Sequence, residues 1–372
     1  MATAENLKIG IIGTGRAGQC HAAGYSRLPG VQVTALWNRS RDRAEEFAAT
    51  FNSPELKVYD DWRKLLDRGN IDIVSITTDP IVRLEPFVHA LQNRIHVLVE
   101  KPLALNLSDA ATMHAVAEKS AVVSAISFNW RYSQACRTMW QAIQAGRIGL
   151  PHNIRTEWRL RFNPGSKPLT AGRGLLTEMG SHEFDRACLL TGGRFIRVVC
   201  DMRSDSHNET DHKPGQPAPP ETFVSIMSEM TDQIRAGFLF GLTPGEPERR
   251  VVVSGDNGTL ILKNEWVTLH RDGDMNNPIT LGNELQVSGQ YAGDSGPVQL
   301  PAADSDLQPG DITSGQHTWN RLISDFVSAV REHNKKHLVV SNLPQLTDGL
   351  KVQRVIDACE QSHNEQHWVD VV

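Results

Sequence analysis

Short apolar runs alternate with amphipathic stretches through the first third of the chain. Runs at 7–12, 31–37, 58–59, 71–77 and 95–99 read as strands. Apolar positions at helical spacing predict helices beginning near Gln19 and over 41–51, 62–68 and 86–93. A helix over 107–119 and a strand over 121–128 complete the series. Strand and helix in regular turn imply α/β architecture, a doubly wound parallel sheet covered on both faces, expected over residues 1–128. From Asn129-Trp130-Arg131-Tyr132 onward the rhythm changes. A helix over 134–145 is followed by strand-like segments at 153–162, 194–203, 222–230, 233–242, 250–254, 259–263 and 266–271. Successive strands with few helices between them predict a second, α+β domain over 129–372 with a large, mostly antiparallel sheet. Residues 204–220 are polar and rich in Pro and Gly and read as a loop; 272–311 read as irregular. Amphipathic helices over 316–333 and 343–360 precede a last strand at 368–371.

Candidate chemistry enters at the ends of the predicted strands. Gly13-Thr14-Gly15-Arg16-Ala17-Gly18 lies between the first strand and the first helix, which is the proper context for Gly-x-Gly-x-x-Gly. Gly13 permits the tight turn, Gly15 lets the backbone approach a pyrophosphate, and Gly18 allows close packing of helix on strand. The helix N-terminus then offers N–H groups to phosphate, so a dinucleotide is the expected ligand. The second strand ends at Asn38-Arg39-Ser40-Arg41, where an acid would ordinarily hold the adenosine ribose. Asn38 and Ser40 can bind a ribose, and Arg39, Arg41 or Arg43 can face a 2′-phosphate, so the cofactor is NAD(P)(H) with the choice open. Glu100-Lys101-Pro102 leaves the strand at 95–99, where open parallel sheets place their ligands. A lysine delivered there is positioned for chemistry.

Size and charge narrow the field. The chain has 372 residues, 40% of them hydrophobic, enough for two domains with a core in each. No stretch is apolar enough to span a membrane, and Met1 to Asn6 lacks a basic region followed by a hydrophobic segment, so a cytoplasmic location is expected. Five cysteines without a Cys-x-x-Cys pair read as buried free thiols. A net charge of −5 gives no footprint for nucleic acid.

In the second domain, a Gly-rich entry at Gly172-Arg173-Gly174 leads into a helix continuing to about Leu190. Glu178 and His182 are four residues apart and Asp185 lies three further on, so α-helical spacing puts all three on one face. Position 186 is Arg, so this is not the His-Glu-x-x-His pattern of a zinc protease, and no metal is expected.

Taken together, Gly13-x-Gly15-x-x-Gly18, Glu100-Lys101-Pro102 and Glu178-x-x-x-His182-x-x-Asp185 resemble the Gfo/Idh/MocA family across nearly the whole chain. The segments Asp256 to Leu260 and Thr347 to Gln353 resemble family segments too. The resemblance implies a Rossmann domain, an open-faced antiparallel sheet, NAD(P) chemistry on a sugar or cyclitol, and a homodimer or homotetramer built through that sheet. It implies that Lys101 and His182 are the active-site lysine and proton-transfer histidine, and that Thr77, Thr78 and Glu100 belong with the cofactor. Departures are Glu178 where aspartate is commoner, and Arg83 in place of a frequent histidine. The leading expectation is oxidation or reduction of a carbinol carbon, with His182 exchanging the hydroxyl proton, Lys101 holding the oxygen, and Glu178 orienting His182 or binding a neighbouring hydroxyl. An NAD-dependent glycosidase using transient oxidation, and a nucleotide-binding regulator without turnover, stay open as alternatives. Arg131, Lys167 and Arg173 are cations available to an anionic sugar, and Trp158 or Trp130 to a sugar face, with salt bridges and core packing as their structural alternatives.

Overall fold

The computed structural model describes residues 6–51, 53–161, 174–204, 220–243, 245–271, 274–281, 315–336 and 343–372. Two compact units divide the chain, one of Met1–Tyr132 with Ser314–Gln353 and one of Ser133–Thr313 with Arg354–Val372.

In the first unit, β1 (Leu7–Ile12), β2 (Val31–Trp37), β3 (Lys57–Tyr59), β4 (Ile73–Ile76), β5 (His96–Val99) and β6 (Ser124–Ile126) form one sheet in the order β3-β2-β1-β4-β5-β6. Every pairing is parallel, as the alternation with α1 (Arg16–Ser26), α2 (Arg41–Ala48), α3 (Trp62–Arg68), α4 (Leu84–Gln92) and α5 (Leu107–Glu118) requires. The four residues of β4 and of β5 are all buried, which explains their unbroken apolar runs. The strand order reverses between β1 and β4, and the loops leaving those strands therefore flank the ligand crevice typical of this topology.

One expectation of domain membership differs. The change of rhythm at 129 predicts a second domain over 129–372, whereas 314–353 belong to the first compact unit. The reason is packing: Leu322, Ile323, Phe326, Val327 and Val330 on α8 (Gln316–Lys336) join Ile9, Ile11, Tyr25 and Leu36 in one apolar cluster. An apolar helix face declares that it will be covered, but not by which sheet.

The second unit holds α6 (Gln134–Gln144), α7 (Ser181–Thr191) and a mixed nine-stranded sheet. Its strands are β7 (Pro151–Arg161), β8 (Phe195–Arg203), β9 (Phe223–Met230), β10 (Arg235–Thr243), β11 (Glu248–Gly255), β12 (Gly258–Lys263), β13 (Trp266–Arg271), β14 (Asp274–Leu281) and β15 (Val369–Asp370). All neighbours are antiparallel except β7 and β10. β14 corrects the expectation that 272–311 is irregular throughout: its pairing with β13 supplies order that its polar composition does not announce. The expected loop at 204–220 and the rest of 272–311 lie largely outside the described residues. Phe238 on β10 meets Phe184 of α7 edge-on at 5.1 Å, so α7 covers one face. On the other face Met227, Leu239 and Trp266 remain exposed. The last long helix, α9 (Leu346–Glu365), is divided between the units; within the first, a Cβ on Gly349 would lie only 2.8 Å from Ile126. None of the five cysteines forms a disulfide, and four of them are buried.

Candidate functional site

The Gly loop is built as its spacing predicts. Gly13 adopts a φ of +106°, and a Cβ there would press on Thr77 at 2.9 Å. A Cβ on Gly18 would collide with the carbonyl oxygen of Gly13, while one on Gly15 would meet nothing within 4 Å. Gly13 and Gly18 thus serve the turn itself, and Gly15 leaves the open approach that a pyrophosphate needs. Helix α1 begins at Arg16, so Arg16, Ala17 and Gly18 form its first turn. The Thr77 hydroxyl donates to the Gly13 carbonyl at 2.7 Å, which commits it to bracing the loop from β4. Two buried hydroxyl oxygens at this crevice, Thr14 Oγ1 and Thr78 Oγ1, have no hydrogen-bond partner among the described residues. An open glycine and two unsatisfied hydroxyls fit the polyhydroxylated, anionic body of a dinucleotide.

Lys101 sits on a turn clamped from two sides. On one side the Glu100 carboxylate accepts from His21 Nε2 at 3.1 Å, from Trp319 Nε1 at 3.0 Å and from the backbone N–H of Lys101 at 3.0 Å. Burial opposes ionisation of Glu100, but the hydrogen bond and charge of His21, the Trp319 N–H and the Lys101 charge together lower its pKa to about 2. The network runs on from His21 Nδ1 to Ser75 at 2.9 Å, and from Ser75 to the buried Tyr25 hydroxyl at 3.0 Å. On the other side the buried Arg83 guanidinium donates to the carbonyls of Glu100 and Pro102 and, at 2.6 Å, to that of Thr78. Arg83 therefore fastens the loop after β4 to the turn after β5. The Lys101-Pro102 peptide is cis. Arg131 pairs with Asp348 at 3.0 Å, which places it in an ion pair of its own unit.

In the second unit the predicted helix is not α-helical throughout. Leu176–Gly180 form a π turn that runs into α7 at Ser181. Glu178 lies in the wide turn and His182 in the first turn of α7, so the uniform α spacing assumed for Glu178, His182 and Asp185 holds only for the last two. Glu221 accounts for the entry. Its carboxylate accepts the Leu176 N–H at 2.7 Å, and a Cβ on Gly174 would collide with it. Burial raises the Glu221 pKa, against the pull of its backbone hydrogen bonds. His182 and Asp185 are both buried, and Glu178 is half-buried.

Beside His182, Glu183 is fully buried against Arg186, an ion pair within α7. Burial pulls the Arg186 pKa down, yet the adjacent Glu183 and Cys136 hold it above the ordinary value. Trp158 on β7 donates its indole N–H to Glu183 at 2.8 Å, and Arg249 on β11 lies over the Trp158 ring at 5.3 Å. Trp158 thus ties sheet to helix. Burial, reinforced by Arg186, lowers the Arg249 pKa to about 10. Arg173, Lys167 and Phe162 lie outside the described residues.

The model for the GFO/IDH/MocA oxidoreductase family, NAD-binding Rossmann fold, matches residues 7–128, and that for the GFO/IDH/MocA C-terminal domain matches 136–261. The chain belongs to the Gfo/Idh/MocA family. Among curated relatives, myo-inositol 2-dehydrogenase of Thermotoga maritima is 28% identical over 195 residues, which are 52% of this chain and 58% of that protein. The chain thus spans little more than half the length of that relative. D-apiose dehydrogenase of Paraburkholderia graminis is 28% identical over 284 residues, covering 73% of this chain and 72% of that one. A solved levoglucosan dehydrogenase, in complex with NADH and levoglucosan, superposes with a TM-score of 0.78 at 21% identity over 99% of both chains. At that identity the likeness establishes the fold. Among the described residues of this Gfo/Idh/MocA chain no group of acids, histidines and cysteines has the makings of a metal site, and no helix is long and apolar enough to cross a membrane.

None of the sequence motifs points to structural roles for His21, Trp319, Glu183, Arg186 or Glu221. The i, i+3 spacing of Glu183 and Arg186 was a usable signal. The others are joined across long stretches of sequence, and only folding brings them together.

Proposed function

We propose that the protein is an NAD(P)-dependent dehydrogenase acting on a carbinol carbon of a sugar or cyclitol. The observation that carries this reading is the crevice at the strand-order reversal, with open Gly15, unsatisfied Thr14 and Thr78, and Lys101 on its clamped turn. The dehydrogenase names of the relatives support it over transient-oxidation glycoside hydrolysis. Bound nicotinamide would supply the hydride acceptor or donor. Gly13, Thr14, Gly15, Arg16, Ala17 and Gly18 would hold the pyrophosphate, with Thr78 beside them; Thr77 would act by bracing the loop. Lys101 is proposed to hold the reacting hydroxyl oxygen and His182 to exchange its proton, with Glu178 and Asp185 binding neighbouring hydroxyls. Oligomerisation through the open sheet face that carries Met227, Leu239 and Trp266 belongs to the same proposal.

The test is incubation with inositols, aldoses and levoglucosan plus NAD or NADP, following formation of reduced cofactor. One substrate class is expected to turn over. Lys101→Ala and His182→Ala should each lower kcat/KM by about 10²–10⁴-fold. Unimpaired turnover by both variants would remove the assignment.

A further inference from the structure

The chain leaving β2 carries cations that neither the sheet nor the proposed hydroxyl chemistry uses. The Gly13 N–H donates to the Trp37 carbonyl at 2.8 Å, so the segment beginning at Asn38 starts beside the Gly loop. That segment, Asn38-Arg39-Ser40-Arg41-Asp42-Arg43, holds three arginines against one aspartate. A carboxylate at the first position would accept from a ribose 2′-hydroxyl and repel a 2′-phosphate. Asn38 is neutral, and its amide nitrogen donates to the Ser40 carbonyl at 3.1 Å, leaving its side-chain oxygen as an acceptor for a ribose hydroxyl. Ser40 Oγ accepts the Arg43 N–H and caps α2, whose first-turn acid is Asp42.

The three arginines are not equivalent. Arg41 is engaged with Glu45 at 2.7 Å. Arg39 and Arg43 are exposed, and their guanidinium groups form no ion pair or hydrogen bond among the described residues. Asp60, which follows the neighbouring strand β3, is occupied by Lys64 at 2.7 Å. Two uncommitted guanidinium groups, a neutral first position and a capped helix start make a turn suited to a phosphate monoester. The buried Thr14 hydroxyl, unsatisfied in the adjoining Gly loop, is a separate sign that a polar ligand completes this crevice.

We infer that Arg39 and Arg43 form a 2′-phosphate subsite and that the protein prefers NADP(H) to NAD(H). The inference rests on the dinucleotide reading under Proposed function and adds the choice of cofactor. The full-length protein is titrated with NADPH and with NADH by fluorescence, and with 2′,5′-ADP and 5′-AMP by calorimetry. NADPH is expected to bind at least about tenfold more tightly, the effect of one charge-assisted hydrogen bond. Arg39→Ala with Arg43→Ala should bring NADPH to the affinity of NADH while leaving NADH unchanged, and Asn38→Asp should reverse the preference. Both positions are exposed, so an unchanged Tm is the control for folding. Equal or tighter binding of NADH by the parent, or equal weakening of both cofactors in the double variant, as from arginines that merely cover the adenine, overturns the inference. Absence of binding by either dinucleotide removes the underlying cofactor reading, and the inference with it.

Discussion

Glu100 and Glu183 are both buried carboxylates, and each is the chain neighbour of a proposed hydroxyl-handling residue, Lys101 in the first unit and His182 in the second. They are held differently. Glu100 collects N–H donors from α1, α8 and its own turn, from residues as far apart in sequence as His21 and Trp319. Glu183 faces a buried guanidinium one helical turn away, with the Trp158 N–H as its link to the sheet. Removing Glu100 leaves donors that tolerate neutrality. Removing Glu183 takes the ion-pair carboxylate away from a buried cation that solvent does not reach. The teaching is that equal burial of two like groups does not imply equal dependence on them; the charge of the partner decides.

The sharpest test of this contrast is Glu183→Gln, expected to cost about 3–5 kcal/mol of stability by chemical denaturation. Adding Arg186→Met should return part of that loss, because the double variant also removes the buried charge that faced Glu183. Next comes Arg83→Lys, which keeps the charge but not the fork that bridges three carbonyls. It should cost about 1.5–3 kcal/mol and disturb the Lys101 turn, read as a fall in kcat larger than any change in Tm would explain. Glu100→Gln should cost about 1–3 kcal/mol; a loss equal to that of Glu183→Gln would break the comparison.

The pH dependence of the Glu100 contribution has a definite sign. Its folded-state pKa is lowered from 4.5 to about 2, so the contribution is complete above 4.5 and lost as pH falls from there towards 2. Stability curves of the parent and Glu100→Gln should therefore converge in that acid window. The smallest effect is expected of Arg161→Ala, whose ion pair with Glu246 at 3.2 Å is largely exposed. It should change stability by no more than about 0.5 kcal/mol.

Much of the first unit was legible in the residues. The Gly loop, the apolar runs of β4 and β5 and the placement of Lys101 at a strand end follow from local spacing. The clamps around Lys101 were not legible in the same way. In the sequence Arg83 stands out only as a departure from a familiar pattern and His21 not at all, because hydrogen bonds to carbonyls and to Glu100 leave no periodic trace. In the second unit the strands were visible as alternation, but the π turn was not, since the Glu221 carboxylate that meets its start lies 45 residues further along the chain.

Local residue patterns determine most of the elements, β14 and the π turn apart, their α/β and α+β grouping and the chemistry offered at strand ends, all of which depend on neighbours within a few positions. Tertiary structure alone decided that 314–353 join the first unit, that Glu100 gathers His21, Trp319 and its own turn while Glu183 faces Arg186, and that Thr77 braces a loop. Periodicity tells which face of an element must be buried. Which partner buries it, and with what charge, is settled only when distant segments compete for the same surface.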